Sequence, residues 1–117
     1  QGAGGWLYRF DLAPSLPETK HFGATHSSEM AFTFNAFGNP DTPSRIFHDR
    51  RDPVVKDLAL KWSGTLIEFV RSGDPNGAGL PEWRIYDDSR SCLILDEYCY
   101  IADDPDKRHR EFWTAVN

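Results

Sequence analysis

Residues 52–73 leave little freedom, because they carry start and stop signals for a helix around an apolar pattern that covers two sides. Asp52 suits the N-cap, and Pro53 suits the first helical position, where its missing N–H costs nothing. Arg71 complements the C-terminal dipole, and Gly73 can adopt the left-handed conformation that stops a helix. Between them Val55, Leu58, Trp62, Leu66 and Phe69 recur at helical spacing and form one stripe. Leu60, Gly64 and Ile67 form a second. A helix of this kind, from about Pro53 to Arg71, is either buried on both sides or buried on one and used in assembly. Gly64 costs about 1 kcal/mol against alanine in a helix interior. Its presence is explained if another backbone comes close there.

The flanking segments read as shorter elements. Trp6, Tyr8, Phe10 and Leu12 alternate along residues 6–12 and share one face of a strand. Pro14 and Pro17 cannot donate to a ladder and end it. A loop follows, then the small-residue segment Ala24-Thr25-His26-Ser27-Ser28-Glu29 and the apolar run 30–34. Residues 35–51 and 72–81 are turn-rich connections. Trp83 and Tyr86 sit in a short extended piece, and residues 91–101 form a hairpin turning at Asp96-Glu97. A closing helix runs from about Pro105 to Val116, with Asp104 as cap and Phe112, Trp113 and Val116 inward.

Composition narrows the function classes. The 117 residues suffice for one domain, and 39% apolar with 14% aromatic residues is enough to build a core. The formal charge of −5, with no basic stripe, argues against nucleic acid as a partner. Apolar stretches of only a few residues exclude a membrane-spanning helix. No signal-peptide pattern is present, and a chain starting at Gln1 is expected to be a processed or cut-down product. The expected hairpin register puts Ile94 opposite Cys99, so Cys92 and Cys99 lie diagonally on one face. Two buried thiols fit this better than a bridge.

Of the four histidines, His21 lies in a loop, His48 sits among Asp49, Arg50 and Arg51 and reads as solvated, and His109 lies on a charged helical face. None has the spacing of a metal site, and no cofactor is implied. His26 differs in context. Its neighbours are small, which lets an imidazole stand clear of the backbone, and loops on rigid scaffolds carry much of catalysis. Imidazoles as a class titrate near neutrality, as proton shuttles must.

A resemblance sharpens the reading of His26. Gly23-Ala24-Thr25-His26-Ser27-Ser28-Glu29-Met30-Ala31-Phe32-Thr33-Phe34 resembles the histidine segment of the cholinesterase and type-B carboxylesterase family. Other segments agree in order. Residues 6–11 are similar to the strand before that segment. Phe69-Val70-Arg71-Ser72-Gly73-Asp74-Pro75-Asn76 and Leu80-Pro81-Glu82-Trp83-Arg84-Ile85-Tyr86 resemble two further signatures, and Arg110-Glu111-Phe112-Trp113 resembles the closing helix. Ser27 stands where the family often has Gly or Ala, Ala31 where it has Pro or a larger residue, and Arg84 where proline is usual.

The resemblance implies an α/β class: residues 1–117 as the C-terminal part of a single α/β-hydrolase domain, with sheet strand, histidine loop, long helix, β-hairpin and terminal helix. It implies that His26 is the catalytic histidine of a serine esterase, with Glu29 steadying its loop or merely capping the next segment. The family's nucleophile sits in Gly-x-Ser-x-Gly, which does not occur here, and the chain order in such hydrolases is serine, acid, histidine. The implied partners are a small ester substrate and the remainder of the hydrolase domain, with a homodimer through helix 53–71 as a further option. The alternatives are a cholinesterase-like binding or adhesion protein without turnover, and an assembly segment. Ester specificity and cellular compartment stay open.

Overall fold

A computed structural model describes residues 4–116. Its elements are β1 (Leu7–Phe10), α1 (Met30–Thr33), α2 (Pro53–Ser72), β2 (Ser91–Leu95), β3 (Tyr100–Asp103) and α3 (Lys107–Val116). Short 3₁₀ turns at Lys20–Phe22, Ala36–Gly38 and Pro43–Ile46 punctuate the connections. The strands form one mixed sheet in the order β1-β2-β3, with β1 parallel to β2 and β2 antiparallel to β3. The two parallel strands are joined by a crossover that contains α1 and α2. Parallel neighbours need such a connection, because no tight turn can join them.

The long helix follows its sequence signals closely. The Asp52 carboxylate accepts a hydrogen bond from the Val54 N–H, and Gly73 takes φ 79 and donates its N–H to the Phe69 carbonyl. The first stripe is buried along most of its length: Val55 and Trp62 are 1% exposed and Leu58 3%, whereas Phe69 at its end is 43% exposed. At Gly64 an added Cβ would lie 3.3 Å from the Ala78 side chain. An alanine there would press on the Gly-rich turn after the helix, so the close passage accounts for the glycine. The second stripe remains bare, with Leu60 and Ile67 exposed.

The sheet presents one face to α2 and α1. Trp6 meets Phe69 edge-on, Tyr8 packs on Trp62 with ring centroids 4.5 Å apart, and Phe10 packs on Phe32 at 5.1 Å. These alternate residues do share a face, as the strand pattern requires. The ladder itself is shorter than residues 6–12, because Asp11 and Leu12 both donate to the Leu95 carbonyl as the chain turns away. Trp83 is buried and ties the start of β1 down. Its indole N–H donates to the Leu7 carbonyl at 2.9 Å, and its own carbonyl accepts from the Trp6 indole at 3.1 Å. Tyr86 donates its backbone N–H to Gly5. The segment 83–86 is thus a strap beside β1 rather than a strand.

Two expectations fail here. The hairpin register is one residue away from the expected one: Ile94 pairs with Tyr100 and Cys92 with Ala102, around a longer turn at 96–99. A one-residue slip sends every side chain on one strand to the other face. Cys99 therefore joins Leu93, Leu95 and Ile101 on the core side, while Cys92 is buried on the opposite side. Both thiols are free, and burial pushes both above the ordinary thiol range. The last helix also departs from expectation. It starts at Lys107, after Asp104 at φ 47, whose carboxylate is taken by Arg110 rather than by a helix N–H. Phe112, Trp113 and Val116, expected to face inward, are 61–64% exposed. An amphipathic pattern fixes which residues share a face, not what covers that face.

Candidate active site

The small-residue segment forms a tight, well-anchored turn. Gly23, at φ 63, redirects the chain out of the 3₁₀ turn that precedes it. The Thr25 carbonyl then accepts both the backbone N–H of Ser28, at 3.1 Å, and its hydroxyl, at 2.7 Å. His26 and Ser27 occupy the apex of this four-residue turn. Ser27 sits at φ 63, a region that L side chains enter at a cost and glycine enters freely. That explains in physical terms why a glycine would suit this position. His26 is exposed and makes no hydrogen bond, ion pair or ring contact with the described residues.

The turn is held from behind. Met30 donates its N–H to the Ser27 carbonyl, and the Glu29 carbonyl accepts from Phe32 and Thr33, which winds the chain directly into α1. Phe32 is fully buried between Phe10 of β1 and Phe37, at centroid distances of 5.1 and 4.9 Å. One turn position on, the Thr33 hydroxyl accepts the Trp62 indole N–H at 3.0 Å. The apex is thus tied to a two-sided aromatic anchor. A free imidazole held on such an anchor can exchange a proton with a group brought against it.

Glu29 stands at the N-cap position of α1, but its carboxylate accepts no cap hydrogen bond. The capping alternative therefore has no bond behind it. The carboxylate is half-buried near Tyr8, whose phenol is pushed above its ordinary value by burial first and by the Glu29 charge second. The structure does not pair His26 with Glu29 or with any other carboxylate among the described residues.

Of the other histidines, His21 stacks on Phe22 at 4.1 Å, and His109 is exposed on α3. His48 corrects the sequence reading. It is 2% exposed, not solvated, and neither ring nitrogen has a protein partner. Its ring stands edge-on to Phe32 at 5.1 Å, and its backbone N–H donates to the Ser44 carbonyl. The charged neighbours at 49–51 masked this position in the sequence, because their side chains point outward while the ring turns in. The pairing of His48 with an aromatic core leaves no signal in periodicity.

Burial pushes the His48 imidazole below its ordinary value, and the Asp52 charge opposes this only weakly. A histidine depressed in the folded state favours folding above its unfolded value and loses that contribution as pH falls. The unfolded chain then binds the proton more readily. Stability to urea should therefore decline from about pH 6.5 downward. His48→Phe should flatten that part of the profile and raise the midpoint at pH 5. Parallel profiles for the two proteins would contradict the assignment.

No group of three His, Cys, Asp or Glu side chains that could hold a metal occurs among the described residues. No helix among them is long and apolar enough to cross a membrane.

No family model matches the chain. Curated relatives do. It is 32% identical over 107 residues to the para-nitrobenzyl esterase of Bacillus subtilis, covering 91% of this chain and 21% of that protein. It is 34% identical over 92 residues to carboxylesterase 5A of Mus musculus, covering 78% of this chain and 16% of that protein. Among solved structures, a carboxylesterase of Geobacillus stearothermophilus superposes with a TM-score of 0.77 at 31% identity, over 96% of this chain and 22% of that one. An esterase of Clostridium hathewayi superposes at 0.79 over 99% of this chain and 22% of that one. Its 22% identity makes this a likeness of fold alone. The chain thus spans about a fifth of the length of the relatives it matches. In sequence and in fold its homologues are carboxylesterases of the α/β-hydrolase type, and what it matches in them is consistent with a C-terminal piece of a type-B esterase.

Proposed function

We propose that residues 1–117 form the C-terminal part of a single α/β-hydrolase domain that cleaves carboxylic esters, and that His26 is its general base and acid. The observation that supports this most is the state of the His26 ring: free of partners, at the apex of a turn, on a buried aromatic footing. In the reaction a serine outside these residues attacks the ester carbonyl while His26 takes the hydroxyl proton. His26 returns that proton to the departing alcohol. It then deprotonates a water that attacks the acyl-enzyme, and the serine recovers its proton from the imidazolium. Glu29 steadies the loop through its charge beside Tyr8, since its carboxylate bonds neither His26 nor the α1 cap.

Without a nucleophile, His26 has nothing to deprotonate. A fluorophosphonate probe should leave the 117-residue protein unlabelled, as read by intact mass. Stoichiometric adduct formation on one of its serines would overturn the division of labour proposed here. A non-catalytic binding protein of the same fold is distinguished by its nucleophile position. A Gly-x-Ser-x-Gly segment upstream in the reading frame supports turnover, and a replaced serine supports binding.

A second reading, homodimerisation through α2, has its own observation. Leu60 is 66% exposed and Ile67 55%, on the stripe that the sheet does not use. Such a stripe fits the remainder of a hydrolase domain or a second copy. Light scattering on Ile67→Glu separates the two: a fall from dimer mass to monomer mass supports self-association, and an unchanged monomer mass excludes it.

A further inference from the structure

The segment before α2 holds a second chemical feature that ester cleavage does not use. His48 forms the floor of a cleft of about 320 Å³ whose other lining residues are Leu16, Arg45, Asp49, Arg50 and Arg51. Three guanidiniums thus face one carboxylate, in a chain whose formal charge is −5. The guanidiniums are not equally occupied. Arg51 is paired with Asp49 at 3.1 Å, and Arg45 spends one nitrogen on the Pro40 carbonyl at 2.7 Å. Arg50 makes no hydrogen bond or ion pair with the described residues. Beneath them the His48 ring is buried, yet both of its nitrogens lack a protein partner. Its surroundings, Phe32 and Phe37, would accept a phenyl ring in the same edge-on packing. A neutral imidazole keeps one N–H donor, and a buried donor is costly unless something accepts from it.

We infer that the cleft over His48 is a binding site for a phosphate-type dianion, held by Arg45 and Arg50 with the His48 ring N–H donating from below. Charge sets the ligand class. Asp49 pairs with Arg51 and also feels Arg50, and Asp52, the other carboxylate that His48 senses, keeps its charge while capping α2, so three guanidiniums against two carboxylates leave the surroundings net positive. Arg45 and Arg50 keep guanidinium N–H groups free of partners among the described residues, two forks that can share the several oxygens of one phosphate. Guanidinium groups bind phosphate oxygens through paired, charge-assisted hydrogen bonds. The site is independent of the ester reaction, since His26 lies on a different turn and takes no part in it.

The test follows the ring nitrogens of His48 by NMR in protein labelled with ¹⁵N-histidine. Inorganic phosphate is titrated at pH 7.5, with sodium chloride holding ionic strength constant. The expected result is a saturating shift at His48, with none at His21, His26 or His109, and a dissociation constant on the order of millimolar. Arg50→Gln should weaken binding about tenfold, the loss of one charge-assisted contact. Acetate, with one charge, should bind more weakly than phosphate. The inference is overturned if His48 does not move, or moves linearly like the exposed histidines. It is also overturned if Arg50→Gln saturates at the same phosphate concentration, or if acetate binds as tightly as phosphate. Arg50 is an exposed surface residue, so its replacement leaves the fold intact.

Discussion

His26→Ala, made in a hydrolase domain that carries this segment together with its serine, is expected to lower kcat/KM for a simple acyl ester by at least 10²–10⁴-fold, the usual worth of general acid-base help. The loss should fall on kcat, with KM little changed. Proton transfer occurs only on the way to the transition state, whereas substrate binding does not require it. Free imidazole in the buffer should restore part of the rate, because removal of the ring leaves room for a diffusible base beside the serine. Glu29→Gln serves as the contrast. It should cost far less, since the carboxylate touches neither His26 nor the α1 cap. Wild-type turnover by the His26→Ala enzyme would remove the proposal altogether.

Trp62→Ala should be the most damaging core substitution, at about 3–5 kcal/mol in urea unfolding. Trp62 is 1% exposed and packs on Tyr8 and Trp83, at centroid distances of 4.5 and 5.9 Å. It thereby joins α2 to both β1 and the strap. Its indole N–H also holds Thr33, five residues past the end of the histidine turn. Thr33→Val isolates that last contact. It keeps the side-chain shape, leaves the indole donor unpaired inside the core, and should cost about 1–3 kcal/mol. A loss below about 1 kcal/mol for Trp62→Ala, small for deletion of a buried aromatic ring, would show that this junction does not organise the core.

The sequence disclosed some of this and concealed the rest for physical reasons. Helix α2 was legible end to end because its determinants are local: a carboxylate at the cap, proline in the first turn, glycine in the left-handed stop. The shared face of Trp6, Tyr8 and Phe10 was legible because strand periodicity survives any choice of partner. The hairpin register was not, because one extra residue in the turn moves the pairing by one step, and Asp96-Glu97-Tyr98-Cys99 accommodates either. His48 was hidden because burial of a polar ring is decided by Phe32 and Phe37, which approach from elsewhere in the chain. His26 was visible as a small-residue context, and the resemblance of residues 23–34 raised it above the other histidines. Its aromatic footing, Phe32 on Phe10, and the Trp62–Thr33 bond were not readable from spacing at all.

The parallel pairing of β1 with β2 has a consequence for the order of events during synthesis. Leu7 is made before α2, and its ladder neighbour Cys92 is made only after the whole of that helix. The contacts between α1 and α2 close shorter loops and can form first, whereas the sheet must wait for distant residues to meet. The histidine turn hangs from Phe32, and Phe32 rests on Phe10, so the turn acquires its final seat among the last steps. A ribosome that pauses before Ser91 would leave Tyr8-Arg9-Phe10 as a nascent strand without its β2 ladder. It is in that interval, rather than in the finished molecule, that the aromatic strand is most exposed to association with another copy of itself.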